Sequence, residues 1–181
     1  MLGFQDVIHF WFHECTPEDW FGGKAEFDAR LAARFTETHA RIALGEAFAW
    51  RATPEGRLAE IIVLDQFSRQ LHRGSARAFA SDDMALALAQ EAVAGGHDLA
   101  VAPERRAFFY LPYEHSESLV IHGEAERLFV ALGNEEMLQY ERDHAEIIRR
   151  FGRFPKRNAA LGRETTPEEA AYLTEIGDRM F

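Results

Sequence analysis

The sequence predicts an all-α protein, and three observations carry that reading. Helix-start signals recur along its 181 residues. The apolar residues between them repeat at the three-to-four-residue spacing of a helix face. The alternation and Asn-Gly turns of strands and hairpins are missing. Thr-Pro-Glu occurs at Thr16–Glu18, Thr53–Glu55 and Thr166–Glu168, each giving an N-cap hydroxyl, a proline at the first helical position and an acid in the first turn. Thr16 with Asp19 and Thr166 with Glu169 also complete capping boxes.

In chain order, the pattern predicts helices near residues 3–13, 24–46, 54–72, 82–94, 104–111, 117–132, 135–151 and 167–180. Phe27, Leu31, Phe35, Thr38 and Ile42 form the apolar stripe of the second. Thr53 opens the third; Ser81 with Asp82 and Asp83 opens the fourth, which Gly95–Gly96 closes. Pro112 is expected to end the fifth and Ser116 to cap the sixth. Asn134 caps the seventh, where Met137, Tyr140, His144, Ile147, Ile148 and Phe151 form a stripe ended by Gly152. These segments imply one helical domain over residues 1–181, built of antiparallel helix pairs. The first two Thr-Pro-Glu starts lie near a helical-hairpin repeat apart, but the third breaks the interval.

Thirty acidic against twenty basic residues, a net charge of −10, argue against a general nucleic-acid or anionic-membrane binder. No apolar run reaches the ~18 residues of a membrane span. The start, MLGFQDVIHFWF, lacks the basic region of a signal peptide. The one cysteine, Cys15, excludes an intramolecular disulfide and suits a reducing compartment, so a cytoplasmic protein is expected.

Three polar segments stand out. In IIVLDQFSRQLHRG (Ile61–Gly74), Asp65, Arg69, His72 and Arg73 fall within about 100° on a helical wheel. They continue a face that is fully apolar one turn earlier. Charges entering a buried region need partners or a cleft, although Asp65 and Arg69 also fit an ordinary i,i+4 ion pair. In FYLPYEHSE (Phe109–Glu117), a carboxylate, Glu114, adjoins an imidazole, His115, a pairing suited to acid–base chemistry. The alternative is that Ser116 and Glu117 simply cap a helix. In RRFGRFPKRNAALGR (Arg149–Arg163), Arg153, Lys156, Arg157 and Asn158 interleave with Phe151 and Phe154. Such guanidiniums suit a planar anion, or merely complement a helix end.

His144, central in its apolar stripe, faces the interior or a cleft. His9 and His13, at i,i+4 with Cys15 nearby, resemble part of a metal site. No further ligand cluster accompanies them, so neither a metal nor a cofactor is expected. P-loop, GxGxxG, HExxH and CxxC motifs are missing.

Together and in this order, the segments at His9–Phe12, Asp65–Gly74, Phe108–Leu119 and Phe151–Glu169 resemble a bacterial family known as domain of unknown function 924. The resemblance implies an all-α fold similar to tetratricopeptide-repeat proteins. It also implies shared polar positions at Asp65, Gln66, Arg69, Arg73, His115, Ser116, Glu117, His144, Arg153, Arg157 and Asn158. It implies no activity. His9 stands where an acid is usual, which weakens a metal reading. Lys156 stands where a histidine is usual, which removes an imidazole from the proposed cleft.

The sequence therefore leads to a cleft that binds a small carboxylate or phosphate. Arg69, Arg73, His144, Arg153, Arg157 and Asn158 would hold the anion. In a hydrolytic version Glu114 or His115 supplies acid–base chemistry, oriented by Asp65 or His144. The competing reading is a non-enzymatic scaffold whose concave helical surface takes a peptide or protein.

Overall fold

Capping groups at Thr16, Thr53, Asn134 and Thr166 start helices where the sequence expects them. The computed structural model of the protein describes residues 1–177, and among them every regular element is helical. The chain divides into two compact units, one of Met1–Arg73 with Arg77–Pro112, the other of Gly74–Ala76 with the chain from Tyr113 onward.

In the first unit α1 (Phe4–His9) runs on into a π turn at Phe10–Glu14. Thr16 opens α2 (Pro17–Phe21), its N–H donating to Asp19 Oδ2 at 3.0 Å. In α3 (Ala25–Ile42) the expected stripe is buried, with His39 added to it. Thr53 Oγ1 accepts the Gly56 N–H and starts a long helical run. That run is α4 (Pro54–Ile62), a second π turn at Val63–Phe67, and α5 (Ser68–Leu71). The helix α6 (Asp82–Ala94) spans the predicted residues.

The expected stop at Pro112 is not observed. Proline is the sixth of the eight residues of α7 (Ala107–Glu114); it forfeits the bond to the Phe108 carbonyl, and the helix ends two residues later. Aromatic rings fill this unit. Trp11 packs against Trp20, Phe27, Phe67 and Phe108 with centroids 5.3–6.3 Å apart, within the range of favourable ring pairs.

In the second unit Ser118, not Ser116, precedes α8 (Leu119–Leu132). Gly133 and Asn134 join it to α9 (Glu135–Phe151), making an antiparallel hairpin whose helices pack together. Gly133 and Gly152 end these helices at φ of 74° and 70°, the left-handed conformation that favours glycine. A short α10 (Asn158–Leu161) and α11 (Pro167–Ile176) follow. Residues 178–180 of the expected last helix lie outside the described residues. Ile147, Ile148 and Phe154 form a core flanked by Phe151 and Tyr172. Among the described residues no helix is long and apolar enough to cross a membrane.

The stripe of α9 is rotated from its expected position. Leu138 and Glu141 face inward with His144, Ile147 and Ile148, while Tyr140 is half exposed. A charged residue replaces an aromatic one inside because it has a partner there.

Candidate functional site

The first unit places Asp65 within the second π turn, 1% exposed. Arg69 reaches back one turn to it, Nη1 2.9 Å from Asp65 Oδ1. The Gln66 amide donates to Asp65 Oδ2 at 2.6 Å. Arg69 also takes both oxygens of Asp82, the first residue of α6, at 2.9 and 3.0 Å. One guanidinium thus serves two carboxylates from two helices.

The same arginine donates to the Asp65 carbonyl, and Ser68 Oγ donates to the Leu64 carbonyl at 2.6 Å. Side chains thereby satisfy backbone acceptors where the π turn loosens the α ladder. The wheel fails beyond this point because the helix stops at Leu71. Arg73 leaves the stripe and forms a two-pronged pair with Asp28 of α3, at 2.7 and 2.9 Å. The His72 ring packs edge-on to His39. His39 Nε2 lies 2.8 Å from Ser68 Oγ, and burial, helped by the charges of His72 and Arg77, pushes its pKa down to about 4.

The second unit brings Glu114 and His115 to His144, and His144 and Arg157 to the Phe154 ring. Glu114 is 6% exposed at the end of α7, with Oε1 3.8 Å from His144 Nδ1. His144 Nδ1 lies 2.8 Å from the Tyr140 carbonyl, an acceptor only, so it carries a proton; the neutral ring then has its lone pair on Nε2. The His115 and His144 ring centres are 6.5 Å apart. Arg157 lies over Phe154 at 4.5 Å and donates to the His115 carbonyl at 2.9 Å. A carboxylate, two imidazoles and a guanidinium on an aromatic platform can hold a planar anion and move a proton beside it.

Arg153 and Asn158 are drawn instead to Glu169. Arg153 Nε and Nη2 meet its oxygens at 2.6 and 2.9 Å, and Asn158 donates to it at 3.2 Å. The Thr166 N–H donates to the same carboxylate at 2.8 Å, completing the capping box of α11. The Arg153 hydrogen bond outweighs burial, and with help from the Thr166 N–H it holds the Glu169 carboxyl down to about 2. The capping-box acid was visible in the sequence; its claim on residues 11 and 16 positions away was not.

Glu117 departs from the expected helix-dipole role. It accepts the Phe154 N–H at 2.8 Å and pairs with Arg163 at 2.8 and 3.0 Å. Burial works to raise its carboxyl, but Arg163 and the Phe154 N–H prevail and hold it below the usual range.

The pair His122–Glu141 went unread in the sequence. Nδ1 lies 2.8 Å from Glu141 Oε1, and Nε2 lies 2.9 Å from the Ser116 carbonyl. Burial pushes the Glu141 carboxyl up against the pull of His122. The available signal was Glu141 at i−3 from His144 in the stripe. Among the described residues no three or more His, Cys, Asp or Glu side chains gather to hold a metal. Burial raises the Cys15 thiol to about 12, leaving it protonated.

Residues 7–177 match the family described as "Bacterial protein of unknown function (DUF924)". A solved structure of a protein of unknown function from Agrobacterium tumefaciens is similar over 95% of this chain and 97% of that one. It has 41% sequence identity and a TM-score of 0.90. No curated protein matches the chain.

Proposed function

The chain belongs to the bacterial DUF924 family, whose description names no activity, and from its own side chains we propose that the second unit binds a small anion. The site is the cluster of Glu114, His115, His144 and Arg157, and the ligand is a carboxylate or a phosphate. The observation that carries this reading is Arg157 held over the Phe154 ring by the His115 carbonyl, beside the Glu114–His144 pair.

A guanidinium already held in place by a ring and a carbonyl loses little entropy on meeting a planar anion. His144 Nε2 or His115 takes the second contact. In a hydrolytic extension, Glu114 or His115 moves the proton. Arg73, Arg153 and Asn158 serve the fold in this reading, since Asp28 and Glu169 engage them. The same holds for Asp65 and Arg69 in the first unit.

Thermal shift with inorganic phosphate and a panel of small dicarboxylates tests the proposal. A ligand at a hundred times its Kd stabilises by about 2.7 kcal/mol. Arg157→Ala abolishes the shift, whereas Arg127→Ala, which removes a surface pair with Glu124, leaves it intact. Equal losses in both variants would show mere charge screening. No shift with any anion, alongside capture of a peptide from a library, would replace the anion site with the scaffold reading.

A further inference from the structure

We propose that His9 and His13 form a surface site for a borderline divalent transition ion, Cu²⁺, Ni²⁺ or Zn²⁺. The site lies in the first unit and shares no residue with the anion cluster. The two imidazoles are stacked with centroids 5.3 Å apart and planes at 26°. Metal–nitrogen bonds of about 2.0–2.1 Å, plus roughly 1.1 Å from nitrogen to ring centre, put two imidazoles about 5 Å apart on tetrahedral Zn²⁺ and about 4.5 Å apart as cis ligands of tetragonal Cu²⁺ or Ni²⁺. The observed separation is close to both, so the rings need only turn until one nitrogen of each points at a common ion.

The backbone is fixed for the task. His9 ends α1 and His13 lies in the π turn that continues it. Between them Phe10 and Trp11 are fully buried, so the helical run cannot swing. Both imidazoles are exposed, and only side-chain rotation separates the stacked pair from a chelating one. Imidazole nitrogens suit these ions, whereas Ca²⁺ and Mg²⁺ require oxygen ligands.

Glu14 stands close by, Oε1 3.6 Å from His9 Nε2. Its carboxylate is held by Arg34 at 2.8 and 2.9 Å, which also neutralises that guanidinium. Among the described residues no group of three or more His, Cys, Asp or Glu side chains forms here, so water completes the coordination of the ion. The result is an open two-imidazole platform with exchangeable positions.

Titration of the tag-free chain with Cu²⁺ alone, followed by calorimetry and electron paramagnetic resonance, decides the matter. The expected result is a saturable site whose spectrum shows coupling to two imidazole nitrogens. His9→Gln and His13→Gln each weaken that site at least tenfold and leave one nitrogen in the spectrum. His97→Gln leaves it unchanged. Circular dichroism confirms that the variants fold, as expected for exposed positions. Binding undiminished in either variant, or a spectrum without two imidazole nitrogens in the parent, would mean the rings merely stack, and the proposal fails.

Discussion

His122 and Glu141 face one another inside the second unit, Nδ1 2.8 Å from Oε1, with side chains 2% and 0% exposed. The Ser116 carbonyl can only accept, so Nε2 of His122 carries a proton. The Nδ1–Oε1 contact then holds one further proton, on nitrogen or on oxygen. Either arrangement leaves the pair neutral overall, which is why a carboxylate tolerates this interior. Through Ser116 the pair also holds the joint that carries Glu114 and His115.

Glu141→Ala strands a buried imidazole and is expected to cost on the order of 3–5 kcal/mol in urea unfolding. Glu141→Gln keeps the shape and an acceptor oxygen and costs less. In the parent, the raised Glu141 carboxyl gives stability that is full below the ordinary carboxylate range. It is lost as pH rises through the raised value, because the folded state then holds the extra proton. Glu141→Gln removes this fall, and unfolding midpoints measured as a function of pH check it.

Glu169 works in the opposite direction. With its carboxyl held down to about 2 by Arg153, its contribution is present above the ordinary value of 4.5 and disappears as pH falls from there towards 2. Glu169→Gln removes that acid sensitivity. It also frays the start of α11, which amide exchange at Thr166–Glu169 reports.

His39 adds a second acid-sensitive element in the first unit. Its pKa, lowered from 6.5 to about 4 by burial and the neighbouring charges, means that the unfolded chain binds its proton first. Stability supplied by the neutral ring is full above 6.5 and declines as pH falls through that interval. His39→Gln flattens the decline while keeping a donor for Ser68, and acid titration followed by fluorescence distinguishes the two proteins.

Asp65→Asn is expected to destabilise the first unit by about 2–4 kcal/mol, since the charge is buried and hydrogen-bonded. Arg69→Met costs more, because it removes the cation shared by Asp65 and Asp82. A double-mutant cycle measures the coupling. A loss below about 0.5 kcal/mol for Asp65→Asn would class the pair with exposed ones.

The helices were legible where their signals are local. Ser81–Asp82, Asn134 and Thr166 mark starts through groups within one turn, and α6 and α9 appear at the predicted residues. Pro112 misled because its fixed φ is itself helical, so only its own bond is lost and α7 runs two residues further, to Glu114. The π turns were invisible, since a periodicity argument assumes a constant number of residues per turn. Of the candidate site, residue types and segments were readable, but partners were not. Arg153 looks the same in sequence whether it awaits a ligand or meets Glu169 sixteen residues later. Likewise nothing nearby in the chain tells Glu141 that His122 lies opposite.

The π turn at Val63–Phe67 behaves as an insertion that its helix has absorbed. The wide turn takes up one extra residue and keeps the helix after it in phase with the helix before it. Deleting a single residue from 63, 64, 66 or 67 would let the turn relax to ordinary α geometry and leave Ser68 facing His39 and Arg69 facing Asp82. The same deletion within α4, which has no residue to spare, would turn everything after it by about 100°. The π turn is therefore the one place along this helical run where the chain can shorten without losing the contacts beyond it.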